Sequence, residues 1–145
     1  MHADADASSE LEVLDEAVCR VLLRSVPIGR VVFTHQALPR IQPVPFALDG
    51  DDVVIRVPAG STLAAAARDA IVAFEVDDYD AVRRTGWSVV VVGRAHRVTS
   101  PEKIAELRDL GLRTWTPGPG PGEGYIRIVP EILSGRRIRG RDLRP

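Results

Sequence analysis

The sequence predicts a mainly β fold: six or seven antiparallel strands in a strongly curved sheet or small barrel, with two or three short helices. Three observations predict it. Gly86 to Val98 holds Val89-Val90-Val91-Val92 and a further Val98, a composition that favours one long strand. Asp49-Gly50 lies between two apolar runs, which marks a hairpin turn. The remaining strands are separated by turn residues and do not alternate regularly with helices, so a doubly wound parallel sheet is excluded. In the valine strand, Val90 and Val92 share one face and Val89 and Val91 the other, so the strand is expected to be covered on two sides. Trp87 and Ser88 stand at its entrance, a rim position where a ligand is met.

The other elements follow in chain order. Residues 1–9 are small and polar and are expected to be disordered. Leu11, Leu14, Val18 and Leu22 recur at helical spacing, with Ser8 or Ser9 as the cap. Cys19 falls among the apolar positions of that helix and reads as a small buried hydrophobe. Gly29 to Thr34 reads as a strand, His35 to Pro39 as a loop, and Arg40 to Leu48 as a second strand. In the latter, Pro43 and Pro45 remove ladder donors, which suits an edge, a bulge or a ligand-facing rim. Asp52 to Val57 completes the hairpin. Pro58 to Thr62 breaks the strand, and Thr62 to Arg68 favours a short helix. Ile71 to Val76 is the next strand and Asp77-Asp78-Tyr79-Asp80 an acidic loop. After the valine strand, Ser100 caps a helix with Pro101 at its first position, Leu107 and Leu110 as its apolar points and Gly111 as its stop. Thr116 to Gly124 is rich in proline and glycine and reads as a loop. Tyr125 to Pro130 and Ile132 to Ile138 close the chain as two more strands.

Composition narrows the function classes. The chain has 145 residues, 45% of them hydrophobic, which fits one domain with a substantial core. No apolar run approaches the roughly 20 residues of a membrane helix, and the acidic N-terminus lacks a secretory pattern, so a cytoplasmic location is expected. Cys19 is the single cysteine, which excludes an intrachain disulfide. The formal charge of -1 gives no bulk positive field for nucleic acid. Charge is unevenly placed: residues 1–16 carry six acids and no Lys or Arg, whereas the end carries Arg136, Arg137, Arg139, Arg141 and Arg144. Those arginines read as a solvated terminus, with phosphate or the acidic head of a partner subunit as the functional counterpart. His2, His35 and His96 form no metal-ligand pattern, no Gly-x-Ser-x-Gly elbow occurs, and the glycine-rich loop lacks the lysine and hydroxyl of a P-loop.

Three short stretches carry chemistry. Pro43-Val44-Pro45-Phe46 leaves room beside a flat ligand. Arg56 with Gly60-Ser61-Thr62 offers a guanidinium, two hydroxyls and helix-start amides to a phosphate. Trp87-Ser88 supplies a ring and a donor. The bland readings are a surface arginine for the second and a core ring for the third.

A resemblance joins these stretches. Gly29-Arg30-Val31, Gln42 to Phe46, the Leu48-Asp49-Gly50 hairpin, and Arg56 ahead of Gly60-Ser61-Thr62-Leu63 match one family. So do Val72 to Asp77, Gly86 to Ala95, Trp115, Ile128-Val129-Pro130 and Ile132 to Ile138. The sequence resembles the actinobacterial branch of the pyridoxamine 5'-phosphate oxidase-like, flavin-nucleotide-binding split-barrel family, over about residues 11–140. The resemblance implies a split-barrel domain at 10–140 between an N-terminal segment and an arginine-containing tail at 141–145. It also implies a homodimer with cofactors in the grooves between subunits. Arg56, Ser61 and Thr62 would then face the phosphate of FMN, Pro45 and Phe46 would line the isoalloxazine, and Trp87 and Ser88 would approach from the rim or the partner. The chain departs from the family pattern at Val57, where Thr or Ser is common, and at Thr62, where Lys is common. Weaker FMN binding, the deazaflavin F420, or an empty groove in a cofactor carrier or structural dimer therefore stand as alternatives. A bound flavin implies a reductase or oxidase working by hydride or electron transfer.

Overall fold

The computed structural model describes residues 11–112 and 123–140. The expectations for residues 1–9, Trp115, most of the proline- and glycine-rich stretch and the tail from 141 onward lie outside the described residues. In chain order the elements are β1 (Leu11–Leu14), α1 (Glu16–Leu23), β2 (Ile28–His35), β3 (Leu38–Asp49), β4 (Asp52–Pro58), α2 (Thr62–Ala66), β5 (Ala70–Asp80), β6 (Thr85–Arg97), α3 (Pro101–Arg108) and β7 (Glu123–Ile138). The strands run in the order β1-β7-β4-β3-β2-β5-β6, and β6 also pairs with β7, so the sheet closes on itself. Every pairing is antiparallel. The predicted fold class stands.

The closure rests on two long strands and one that changes partners. The valine strand β6 pairs with β5 on one side and β7 on the other along most of its length. Val89 and Val91 are fully buried and Val90 and Val92 half-buried, so the chain covers one face of this strand fully and the other only in part. β3 pairs with β2 from Leu38 to Pro45 and with β4 from Phe46 to Asp49. Pro43 and Pro45 thus sit where β3 has a neighbour on one side alone, which is where missing N–H groups cost least. Their β2 partners are Arg30 and Ile28. The turn after β3 holds two residues between the paired Asp49 and Asp52, and Gly50 takes φ +62° there.

Val31, Val44, Ile55, Val57, Val72, Val76 and Ile128 fill the barrel with Phe46 and Phe74, whose rings meet edge to face at 4.8 Å. A second cluster lies outside the barrel wall. There α3 lays Leu107, with Leu112 beyond it, over Val54 and Tyr125.

Several boundaries differ from those expected, each for a physical reason. Leu11 and Leu14 belong to β1, where they pair with Ile138 and Gly135, and not to the first helix. The helix starts later, after β1, and its cap is Asp15, whose carboxylate accepts from Val18 N at 2.9 Å. Asp77 to Asp80 continue β5 because β6 supplies partners as far as Thr85. Leu38 opens β3 directly after the two-residue turn Gln36-Ala37, both residues at positive φ. The last two expected strands are one, from Glu123 to Ile138. Its ladder skips Glu131, since Gly93 pairs with Pro130 and Val92 with Ile132. At that bulge the backbones close up: a Cβ on Gly93 would stand 1.9 Å from Val129 O. The buried points are Leu107 in α3 and Leu112 beyond its end, and Leu110 between them is exposed.

Candidate functional site

Side-chain alternation along β4 divides its residues between two environments. Val53, Ile55 and Val57 face the barrel interior, whereas Val54 and Arg56 face the outer side under α3. Arg56 Nη1 donates to Leu112 O at 2.9 Å, and its guanidinium lies 5.7 Å from the ring centre of Tyr125, its β7 neighbour. Both contacts hold the head in place. Pro45, half-buried on the outer face, stands one residue beyond the Phe46–Ile55 pair, as Arg56 does on β4. The β3–β4 ladder ends at that pair: Pro45 goes on to pair with Ile28 of β2, and Arg56 with Tyr125 of β7.

Ser61 and Thr62 follow β4 after one turn. Ser61 Oγ accepts from Ala64 N at 3.1 Å and so caps α2, and Thr62 is exposed at its first position. A helix of five residues has little dipole to offer, and Ser61 already takes one of its free amides. What this segment presents to an anion is the two hydroxyl protons, not helix-start amides. The Phe46 ring is buried in the core against Phe74, so a ligand on the outer face meets Pro45 and not that ring. Trp87 and Ser88 lie on opposite faces of β6. The Trp87 ring packs on the core and borders a cleft with Arg137 and Arg139. Ser88 opens onto an outer cleft of about 700 Å³ with Tyr79, Val90, Ser134 and Arg136. Along β7, Arg56 stands opposite Tyr125 and Ser88 opposite Arg136, so the two groups sit towards opposite ends of that strand.

Two charge clusters complete the geometry. Asp49 Oδ2 accepts from Arg127 Nη2 and Lys103 Nζ, each at 2.7 Å, while Arg127 Nη1 reaches Asp52 Oδ2 at 2.7 Å. These bonds tie α3 and β7 to the β3–β4 turn, and the two cations hold the Asp49 carboxyl below its ordinary range. On the outer face of β2 and β5, Arg30 Nη1 donates to Glu75 Oε1 at 3.1 Å and Asp77 Oδ2 at 2.9 Å. Burial and the neighbouring Asp77 push Glu75 up to about 7, against the pull of Arg30. Sequence reasoning placed Glu75 in a strand but missed this cluster, because its members lie 45 and 47 residues apart and meet through the β2–β5 pairing. Among the described residues no group of three His, Cys, Asp or Glu side chains is placed to hold a metal ion. No helix among them is long and apolar enough to cross a membrane.

The sequence profile of pyridoxamine 5'-phosphate oxidase matches residues 15–137. The chain belongs to that family. An uncharacterized protein of Mycobacterium tuberculosis is 39% identical over 141 residues, 94% of this chain and 91% of that protein. Among solved structures, the FAD binding protein from Mycobacterium smegmatis is 30% identical, with a TM-score of 0.69 over 89% of this chain and 99% of its own. A conserved protein of unknown function from Corynebacterium diphtheriae is also 30% identical, with a TM-score of 0.74 over 89% of this chain and 98% of its own.

Within the pyridoxamine 5'-phosphate oxidase family, the two departures at Val57 and Thr62 have different weights. Val57 is buried in the barrel interior, on the face opposite Arg56, so its missing hydroxyl takes nothing from the outer side of β4. Thr62 is exposed beside the turn that follows β4, so a lysine there would have added a cation. Arg56 lies on the outer side of β4 with Leu112 and Tyr125, while Ser61 and Thr62 stand at the start of α2, one turn after that strand.

Proposed function

We propose that this chain is a flavin-nucleotide-binding protein that works as a homodimer. The observation that carries the reading is the likeness to the FAD binding protein from Mycobacterium smegmatis, at 30% identity over 89% of this chain. A guanidinium on β4 and two hydroxyls one turn after that strand support it. Arg56 supplies the fixed charge for the phosphate, with Ser61 and Thr62 as hydroxyl donors. Pro45, with no N–H to solvate, gives the flat ring system an apolar border. A bound flavin would supply hydride or electron transfer, with FMN as the expected form. The chain's own residues bind and orient it.

The second copy belongs to the same reading. Outward from the barrel, Val13, Tyr79 and Ile132 are 84, 50 and 59% exposed beside the half-buried Val90 and Val92. These apolar side chains alternate with Ser88, Ser134 and Arg136, and exposed apolar residues gathered this way on a small domain call for cover. A second copy supplies it with a self-complementary contact, and brings its own Trp87 and Ser88 to the groove.

Purified protein is expected to be yellow and to release a flavin on denaturation, identified by chromatography as FMN or FAD. Light scattering at micromolar concentration should give twice the chain mass. Colourless protein that takes up F420 but no flavin would assign the deazaflavin instead. Protein that takes up neither would leave a carrier of another ligand or a structural dimer.

A further inference from the structure

The outer face of β5 and β6 is apolar around Val90 and Val92 and carries charge in two places, Arg30 with Glu75 and Asp77, and Asp69 with Arg94 and His96 at 3.4 and 3.8 Å. Arg30 meets Glu75 at 3.1 Å and Asp77 at 2.9 Å through the same nitrogen. The two carboxylates are 28 and 25% exposed, so both have already lost most of their water. The neighbours across each strand add no charge. Glu75 pairs with Val90 and Asp77 with Ser88 on β6, and Arg30 pairs with Pro43 on β3. Further along the same face stand Arg94, held by Asp69 at 3.4 Å, and Arg136, opposite Ser88 on β7. Two carboxylates thus share one guanidinium, and one negative charge is in excess.

The cluster adjoins the cleft lined by Val90 and Ser88, the face assigned above to a second copy. Covering it removes the remaining water, and an excess buried charge is then costly. One proton removes the excess. Neutral Glu75 donates its O–H to the Asp77 carboxylate, which leaves one cation and one anion in contact. Burial and Asp77 already bring Glu75 to a value near neutrality in the single chain, and further burial moves it in the same direction.

We propose that Arg30, Glu75 and Asp77 make subunit association proton-linked: two copies associate with Glu75 protonated, and its ionisation as pH rises loosens the dimer. This rests on the dimer reading. Each copy contributes one Glu75, so the dissociation constant rises up to about tenfold per pH unit for each of the two.

Sedimentation equilibrium of the full chain between pH 6 and 9 tests it, with circular dichroism to check the fold. The wild-type dissociation constant should rise at least about tenfold across that range. Glu75→Gln keeps the shape and a donor for Asp77, and should hold the low-pH constant throughout. Asp77→Asn leaves Glu75 alone with Arg30 and should likewise abolish the pH slope, which keeps the test decisive if one variant folds poorly. A dimer with a pH-independent constant, or variants that keep the wild-type slope, would overturn the proton linkage and leave the dimer standing. A monomer at every pH and concentration would overturn both.

Discussion

Arg56 shows how far a single side chain can be read. Its strand, its neighbours in sequence and its charge were legible, because two-residue alternation places it opposite Ile55 and Val57. Its orientation under α3 was not, since the bond to Leu112 O depends on a helix that begins more than forty residues later. Replacing Arg56 by Ala is expected to weaken flavin binding by roughly 1–3 kcal/mol, the worth of a charge-assisted hydrogen bond. Lysine at the same position keeps the charge but not the planar fork, and should fall between. Fluorescence titration measures the binding, and a parallel melting curve separates it from the lost contact with Leu112. Phe46 is the opposite case. A ring next to two prolines suggested a ligand contact, and the register turned it into the core against Phe74.

At the scale of elements, strand existence was legible and strand length was not. Asp77 to Asp80 read as a loop because acids rarely favour strands, and only the pairing with Thr85 to Ser88 extends β5 through them. β1 was hidden because Leu11 and Leu14 imitate a helical period, a coincidence that the Asp15 cap resolves. The bulge at Gly93 was invisible in one sequence, since it arises from a partner strand containing Pro130. Gly93→Ala would press a methyl group against Val129 O, and should cost about 1–3 kcal/mol of stability, or several degrees in Tm by calorimetry.

For the whole molecule, closure of the barrel places charge clusters whose titration shapes stability. Asp49 is held below its ordinary value of 3.8 in the fold, so its contribution is complete above that value and is lost as pH falls through the lower folded one. Glu75 has the opposite sign. Its folded value near 7 lies above the ordinary 4.5, so its contribution is complete below 4.5 and is lost as pH rises through about 7. Denaturant unfolding across pH should therefore show Asp49→Asn flattening the acid limb and Glu75→Gln flattening the limb between 4.5 and 7. Closure also leaves Val90 and Val92 only half-buried on the outer face of β6, the face proposed for a second copy. The four consecutive valines announced that need, and the geometry of the face came only with the register of β5, β6 and β7.

The central claim is that the chain binds a flavin nucleotide through Arg56. Calorimetric titration of FMN and FAD, separately, into the flavin-free wild-type protein tests it most directly. The account predicts saturable binding of a flavin at micromolar concentration, with one flavin per chain. Failure of both to bind at tens of micromolar, in folded protein, would contradict it.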